Sequence, residues 1–353
     1  MGAGVADVKA AESQTAEPAV KVAQTPVGQA PSGDAESSRP EVPVAAERGG
    51  VLTPKGTLVF EPSIEYAHTS VDRFVFQGVE IVDTVLIGVI DASQADREVV
   101  TAALGFRYGI TDRFEMDVKV PWLYRNDNTI DFIPTEIPDE PRESERSNTT
   151  TGLGDIEMGL HYQLNKGGPD QAFYIANLRV KSHTGEGPFD VSRDPVTGIE
   201  TELPLGSGFW GVEPSLTVLL PSDPAVFYMN FGYLWNIKDD VNQTILDTYV
   251  GEVDPGDAIR ASFGMGYGIN ERASFSIGYQ HDFIMGTETE LGDSPTNTEW
   301  TTGDRLDIGA LSFGANYQVS DSTSVSLSVL AGVTEDAPDV RIILRIPIAT
   351  SLF

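Results

Sequence analysis

The residues best equipped for chemistry are charged side chains that recur two or four apart inside otherwise apolar runs. Glu61 and Glu65 are one such pair; Glu115, Asp117 and Lys119 form a triplet; Arg179 with Lys181 and Arg341 with Arg345 follow. Asp155 and Glu157 are a further pair, and Arg107, Glu213, Arg260 and Asp282 stand singly in runs of the same kind. A spacing of two or four places side chains on one face of a β-strand. If that face looks into a closed interior, its charges must pair with one another. If it looks onto a water-filled path, the same charges line the path and set its selectivity. Both readings are open at the level of sequence.

Other chemistries find less support. The four histidines, His68, His161, His183 and His281, are scattered and form no metal-ligand spacing. His68-Thr69-Ser70 sets a base beside a hydroxyl, but a nucleophilic serine also needs a group that orients the histidine, and none is identifiable. The stretch 285–304 carries Glu288, Glu290, Asp293, Glu299 and Asp304 with no base. Such carboxylates are either solvated surface charge or weak Ca²⁺ or Mg²⁺ sites, since hard cations take oxygen ligands. Of these, Glu288, Glu290 and Asp293 are the candidates. No cofactor is expected.

Composition narrows the field. The 353 residues include no cysteine, so neither disulfides nor thiolate metal sites exist. Fifty-three acids against 23 Lys and Arg give a net charge of −30, which repels nucleic acid. No run reaches the roughly 18 apolar residues of a membrane helix. Mean hydropathy is slightly negative. A β-barrel escapes that test, because only alternate strand residues face lipid. Met1-Gly-Ala-Gly-Val-Ala-Asp has neither a basic nor an apolar region, so the chain reads as a mature form without its export signal. Residues 1–50 contain no aromatic, Leu or Ile. They cannot bury enough surface to offset ordering entropy, and are expected to be a disordered spacer, or a tether for a periplasmic partner.

From Thr57 to the end, the charged positions sit in strands about ten residues long. Leu104, Phe106 and Tyr108 oppose Gly105 and Arg107; Met116, Val118 and Val120 oppose Asp117 and Lys119; Met158, Leu160 and Tyr162 oppose Glu157 and His161. The pattern continues to Ile342 and Leu344 against Arg341 and Arg345. Connections alternate strictly: short turns near 111, 165–169, 221–224, 270–272 and 320–323, and long acidic loops at 125–150, 182–206, 237–257 and 285–304. Aromatics sort with them, Phe114, Tyr162, Phe227 and Phe275 near short turns and Trp122, Trp210, Trp235 and Phe283 near long loops. This predicts an all-β, antiparallel, up-and-down transmembrane barrel with two aromatic girdles over residues 51–353, following the disordered segment. The hairpin-like stretch 71–98 leaves the count at about 12 strands, with 14 as the alternative. Short turns belong in the periplasm, which places both termini there. Gly264, Gly266, Gly268, Gly278 and Gly314 on inward faces leave room for large side chains opposite or for a solute.

Three segments carry a family resemblance. Thr151-Gly-Leu-Gly-Asp-Ile-Glu-Met-Gly-Leu-His-Tyr-Gln-Leu, Tyr108-Gly-Ile-Thr-Asp-Arg-Phe-Glu followed by Val120-Pro-Trp, and Gly332-Val-Thr-Glu-Asp-Ala-Pro-Asp before a strand ending in Phe353 resemble the putative MetA-pathway of phenol degradation family. The resemblance implies an outer-membrane barrel and movement of small hydrophobic or aromatic compounds, and brings no catalytic residues; a channel for passive diffusion is the function expected. The C-terminal Phe353 resembles the terminal signal of bacterial outer-membrane proteins that the barrel-assembly machinery reads, and outer-membrane lipid and lipopolysaccharide are the expected surroundings of such a barrel. A closed barrel serving as an anchor for a partner is the alternative.

Overall fold

The computed structural model describes residues 51–76, 80–81, 85–86, 90–133, 142–167, 171–193, 200–222 and 224–351. The expected disordered segment 1–50 and the terminal Phe353 lie outside them.

The chain forms one antiparallel wall. Strand β1 (Thr57–Phe76) rises from the short-turn end, the two-residue strands β2 (Glu80–Ile81) and β3 (Val85–Leu86) pair with each other, and β4 (Ile90–Thr111) returns. Next come β5 (Phe114–Ile133), then β6 (Arg142–Leu153) and β7 (Glu157–Gln163), which both pair with β5 and form one wall position. The wall continues through β8 (Phe173–Lys181), β9 (Gly211–Ser222) and β10 (Ala225–Asn236). Strands β11 (Asp239–Ile245) and β12 (Thr248–Asp254) leave it before β13 (Ala258–Gly268) and β14 (Ala273–Ile284) rejoin. Strands β15 (Glu288–Ser294) and β16 (Asn297–Thr302) leave again, joining β11 and β12 in a separate four-stranded sheet. Then β17 (Leu306–Ser320) and β18 (Thr323–Gly332) lead to β19 (Val340–Arg345) and β20 (Ile348–Ser351), two pieces of one last position. Those pieces pair with both β18 and β1, closing a 12-strand barrel.

The count of 12 stands, and 14 wall strands are excluded. The stretch 71–98 extends the arms of β1 and β4, which stay in register from Leu58–Tyr108 to Phe76–Ile90. Three stretches read as loops contain strand. Strands β5 and β6 run on into 125–150, and the sheet of β11, β12, β15 and β16 occupies 237–257 and 285–304.

Alternation decides the two faces. Leu160, Phe231, Phe263 and Phe313 are among the exposed apolar residues, whereas Glu65, Glu157, Glu213 and Asp282 are buried. In water this would be inside out; in a bilayer each strand pairs its backbone groups and shows its apolar face to lipid. Trp122, Trp210, Trp235 and Phe283 are exposed toward the long loops, and Tyr162, Tyr174, Phe227 and Phe275 toward the short turns.

Candidate functional site

The interior is layered. At mid-height a belt of ion pairs runs across neighbouring strands. Glu157 on β7 meets Arg179 on β8 at 3.2 Å, and Arg179 also binds Glu213 on β9, its Nε donating to Oε2 at 3.2 Å. Glu213 continues to Arg260 on β13 at 2.9 Å, and Arg260 lies 3.6 Å from Asp282 on β14. Strand β10 lies between β9 and β13 in the wall. Its inward position there is Gly232, where a Cβ would stand 2.9 Å from Ser215 Cβ and 3.1 Å from Glu213 Oε1. Glycine at 232 leaves Glu213 free to reach across an intervening strand. On the facing wall Arg341 pairs with Glu65 at 3.2 Å.

The other expected inward charges follow the same parity. Arg107 meets Glu61 at 3.2 Å with 41 % of its side chain exposed, and Asp117 holds His161 Nε2 at 2.6 Å. Lys181 lies 3.9 Å from Asp155. Lys119 stands opposite Glu157 in register, and Arg345 opposite Ser63 and Ser326; both are half-buried. Glu115 is buried and accepts a hydrogen bond from the Thr53 backbone at 2.6 Å.

Toward the long loops apolar groups line part of the inner wall beside the buried polar cluster of Arg97, Arg125 and Asp127. Val99, Leu123 and Leu205 pack with Ala67; Leu234, Ala258 and Ile284 pack with Leu306 and Ile308; Ala310, Leu330 and Ile343 form a third group, which lies level with Arg341, the register partner of Leu330. Below the belt, Thr217 receives hydrogen bonds from Asn177 at 3.0 Å and Asn230 at 2.8 Å. Lower still, Phe173, Ile175 and Leu219 form a second apolar layer with Tyr228, Val226, Val51 and Leu52. The room left by Gly264 and Gly278 is taken by Tyr228, whose hydroxyl stands where their Cβ atoms would be. Large side chains, rather than open space, occupy that part of the bore.

Leu205 belongs to the long connection between β8 and β9, of which the described residues near 185 and 203–207 fold inward. Asp155, fully buried between β6 and β7, accepts hydrogen bonds from Gly185 N at 3.0 Å and from Ser207 N and Oγ at 2.8 Å. Arg125 donates to the Pro204 carbonyl at 2.8 Å and, with Arg97, clasps Asp127. Burial alone would raise the Asp127 carboxyl, but the two guanidinium groups hold it down at about 2. Leu203 and Leu205 carry no alternation signal and read as loop; the small-residue pairs Gly185/Gly187 and Gly206/Gly208 around them were the available hint.

The remaining candidates stay apart. Glu288 and Glu290 lie on β15, where Glu290 accepts a hydrogen bond from Thr298, which lowers its pKa, and one from Glu252 N. Asp293 accepts from Ser294 and Asn297 in the tight turn to β16. Among the described residues no three His, Asp or Glu side chains are placed to hold a metal ion. His68 lies 3.8 Å from Asp339, beyond hydrogen-bond reach, and its buried Nδ1 has no partner, so no catalytic triad is built at His68-Thr69-Ser70.

Comparison with known proteins follows this geometry. Residues 116–341 match the family described as "Putative MetA-pathway of phenol degradation". An outer membrane channel from Pseudomonas putida F1 shares the fold at 16 % identity, with 84 % of this chain and 97 % of that chain covered and a TM-score of 0.52. The translocator domain of the autotransporter NalP from Neisseria meningitidis aligns at 6 % identity over 86 % of this chain and 91 % of that chain, with a TM-score of 0.42. The toluene transporter TodX from Pseudomonas putida aligns at 12 % identity over 84 % and 89 %, with a TM-score of 0.37. The family match runs from β5 to the start of β19, through the strands that carry the belt from Glu157 to Asp282, and the chain belongs to this family of outer-membrane β-barrels.

Proposed function

We propose that the barrel is a channel for passive entry of small, uncharged, apolar or aromatic molecules across the outer membrane. The observation that carries this is the partial apolar collar of the long-loop half, built by the Val99–Leu123–Leu205 and Leu234–Ala258–Ile284 groups and adjoining charges already neutralised by one another. A hydrophobic collar costs an ion its hydration and costs an apolar solute nothing. The belt beneath presents paired rather than open charge, so it offers such an ion little compensation. In this reading the long loops face outward, the short turns and both termini face the periplasm, and lipopolysaccharide surrounds the outer rim. Assembly of the wall falls to the barrel-assembly machinery, and the chain performs no catalysis.

The experiment is uptake of radiolabelled toluene by outer-membrane-bearing cells that express the barrel or carry an empty vector. Faster uptake with the barrel, reduced by Leu234→Asp in the collar, supports the channel. Equal uptake in both strains overturns it. That result favours the second reading, a closed anchor, for which the tightly filled bore beneath the belt is the specific support: Thr217 and Gln163 are almost completely buried.

A further inference from the structure

The chain just before β1 does not run down and away from the barrel. Lys55 N donates to Asp112 Oδ1 at 3.2 Å, Gly56 N to the Gly109 carbonyl at 2.8 Å, and Thr53 N to Glu115 Oε2 at 2.6 Å. These contacts hold residues 53–56 against β4 and β5. A Cβ at Gly109 would strike the backbone oxygens of Thr53 and Pro54, so glycine is what lets the segment cross the inner wall there. Two residues earlier, Val51 and Leu52 pack against the layer of Phe173, Ile175 and Leu219, with Val226 and Tyr228. Those residues belong to β8, β9 and β10. The cluster that Val51 and Leu52 pack against lies on β8 and β9, two and three wall positions from β5, where Glu115 holds Thr53.

The distances allow it. Twelve strands spaced about 4.8 Å apart and tilted about 40° enclose a ring roughly 24 Å across between backbones. Inward side chains shorten the gap by about 5 Å on each side. Six extended residues reach roughly 20 Å. The stretch 51–56 is therefore long enough to cover the sector of the mouth between β4 and β9, where its contacts lie.

We infer that residues 51–54 are a strap that narrows the short-turn mouth in cis, and that the apolar layer of β8, β9 and β10 is its docking site. The strap is anchored at β4 and β5 by the contacts of Thr53 to Glu115 and Lys55 to Asp112, and docked farther round the wall, on β8 and β9, by Val51 and Leu52. Only the docked end needs to leave for the mouth to widen, because the anchors lie beside β1. Nothing in the barrel wall has to move. The inference rests on the channel reading, since a strap gates only a barrel that conducts.

The chain has no cysteine, so Leu52→Cys introduces its single thiol. A docked strap keeps that thiol slow to react with a negatively charged thiosulfonate, compared with Ser322→Cys in an exposed turn. Once attached, the charge cannot return to the apolar layer, and single-channel conductance in planar bilayers should rise several-fold. A chain starting at Lys55, its folding checked by heat-modified gel mobility, should conduct like the labelled protein. Labelling of Leu52→Cys as fast as Ser322→Cys overturns the strap. So does conductance that is present but unchanged after complete labelling, and that result leaves the channel reading intact. A barrel silent in every form overturns both.

Discussion

Glu213 is the most connected acid of the interior, and its replacement by alanine tests whether the belt is dry. The carboxylate is 4 % exposed and binds Arg179 and Arg260 together. Its loss leaves each arginine with one acid, Glu157 at 3.2 Å and Asp282 at 3.6 Å. Removing one member of a buried pair costs about 3–5 kcal/mol, because the partner charge stays desolvated. Two surviving pairs soften that, so Glu213→Ala should cost about 3 kcal/mol. Glu213→Gln keeps an acceptor and should cost about half as much. Urea unfolding in lipid vesicles, followed by tryptophan fluorescence, measures both. If the belt instead lined an open aqueous path, water would replace the lost carboxylate and the cost would resemble that of an exposed pair, about 0–1 kcal/mol. An alanine variant within that range refutes the buried belt.

Three further outcomes follow from the geometry. Leu160, exposed on the lipid face, should cost about 2–4 kcal/mol in bilayers when changed to Arg, and wild-type stability in that variant would mean the facing is inverted. Asp127→Asn should destabilise the long-loop end by about 2 kcal/mol at pH 7, because the folded carboxyl near 2 lies below its unfolded value. That contribution is present above about pH 4 and lost as pH falls through about 2, so wild type and variant should converge there in pH-dependent unfolding. In a conducting barrel Arg107→Gln should shift the reversal potential toward cations, whereas Arg179→Gln should not, since 41 % of the first side chain is exposed and 4 % of the second. An equal shift from both would show that the belt lies on the ion path.

The lipid face was legible because a bilayer imposes a period of two on every strand, and Leu160, Phe263 and Phe313 obey it without exception. The belt was legible for the same reason read from the other side: once Leu178 faces lipid, Arg179 must face inward. Which acid each arginine meets was not legible. That depends on register and on Gly232, whose missing side chain lets Glu213 cross β10. The strap and the inward connection were missed because neither is periodic. Thr53 acts through a backbone N–H and Pro204 through a carbonyl, and every residue type carries those groups. The sheet of β11, β12, β15 and β16 was hidden by its acids, since Val250, Val253 and Leu291 pack beneath Phe209 within a stretch that composition marks as solvated.

The wall closes through a strand in two pieces. The last position makes six register pairs through β19 and four through β20 with β1, where β4 makes nineteen on the other side. Pro347 sits at the break and has no N–H to offer. This joint also links the first strand to the last, so it carries the largest loop-closure entropy in the molecule. During folding, the free edge of β1 stays exposed until synthesis of the whole chain is complete. Short pairing and late closure act in the same direction. The seam forms last and opens first, so amide hydrogens of β19 and β20 exchange with solvent ahead of those in the core of β4 and β5. The barrel unzips rather than melts, and it does so from the place where its two ends meet.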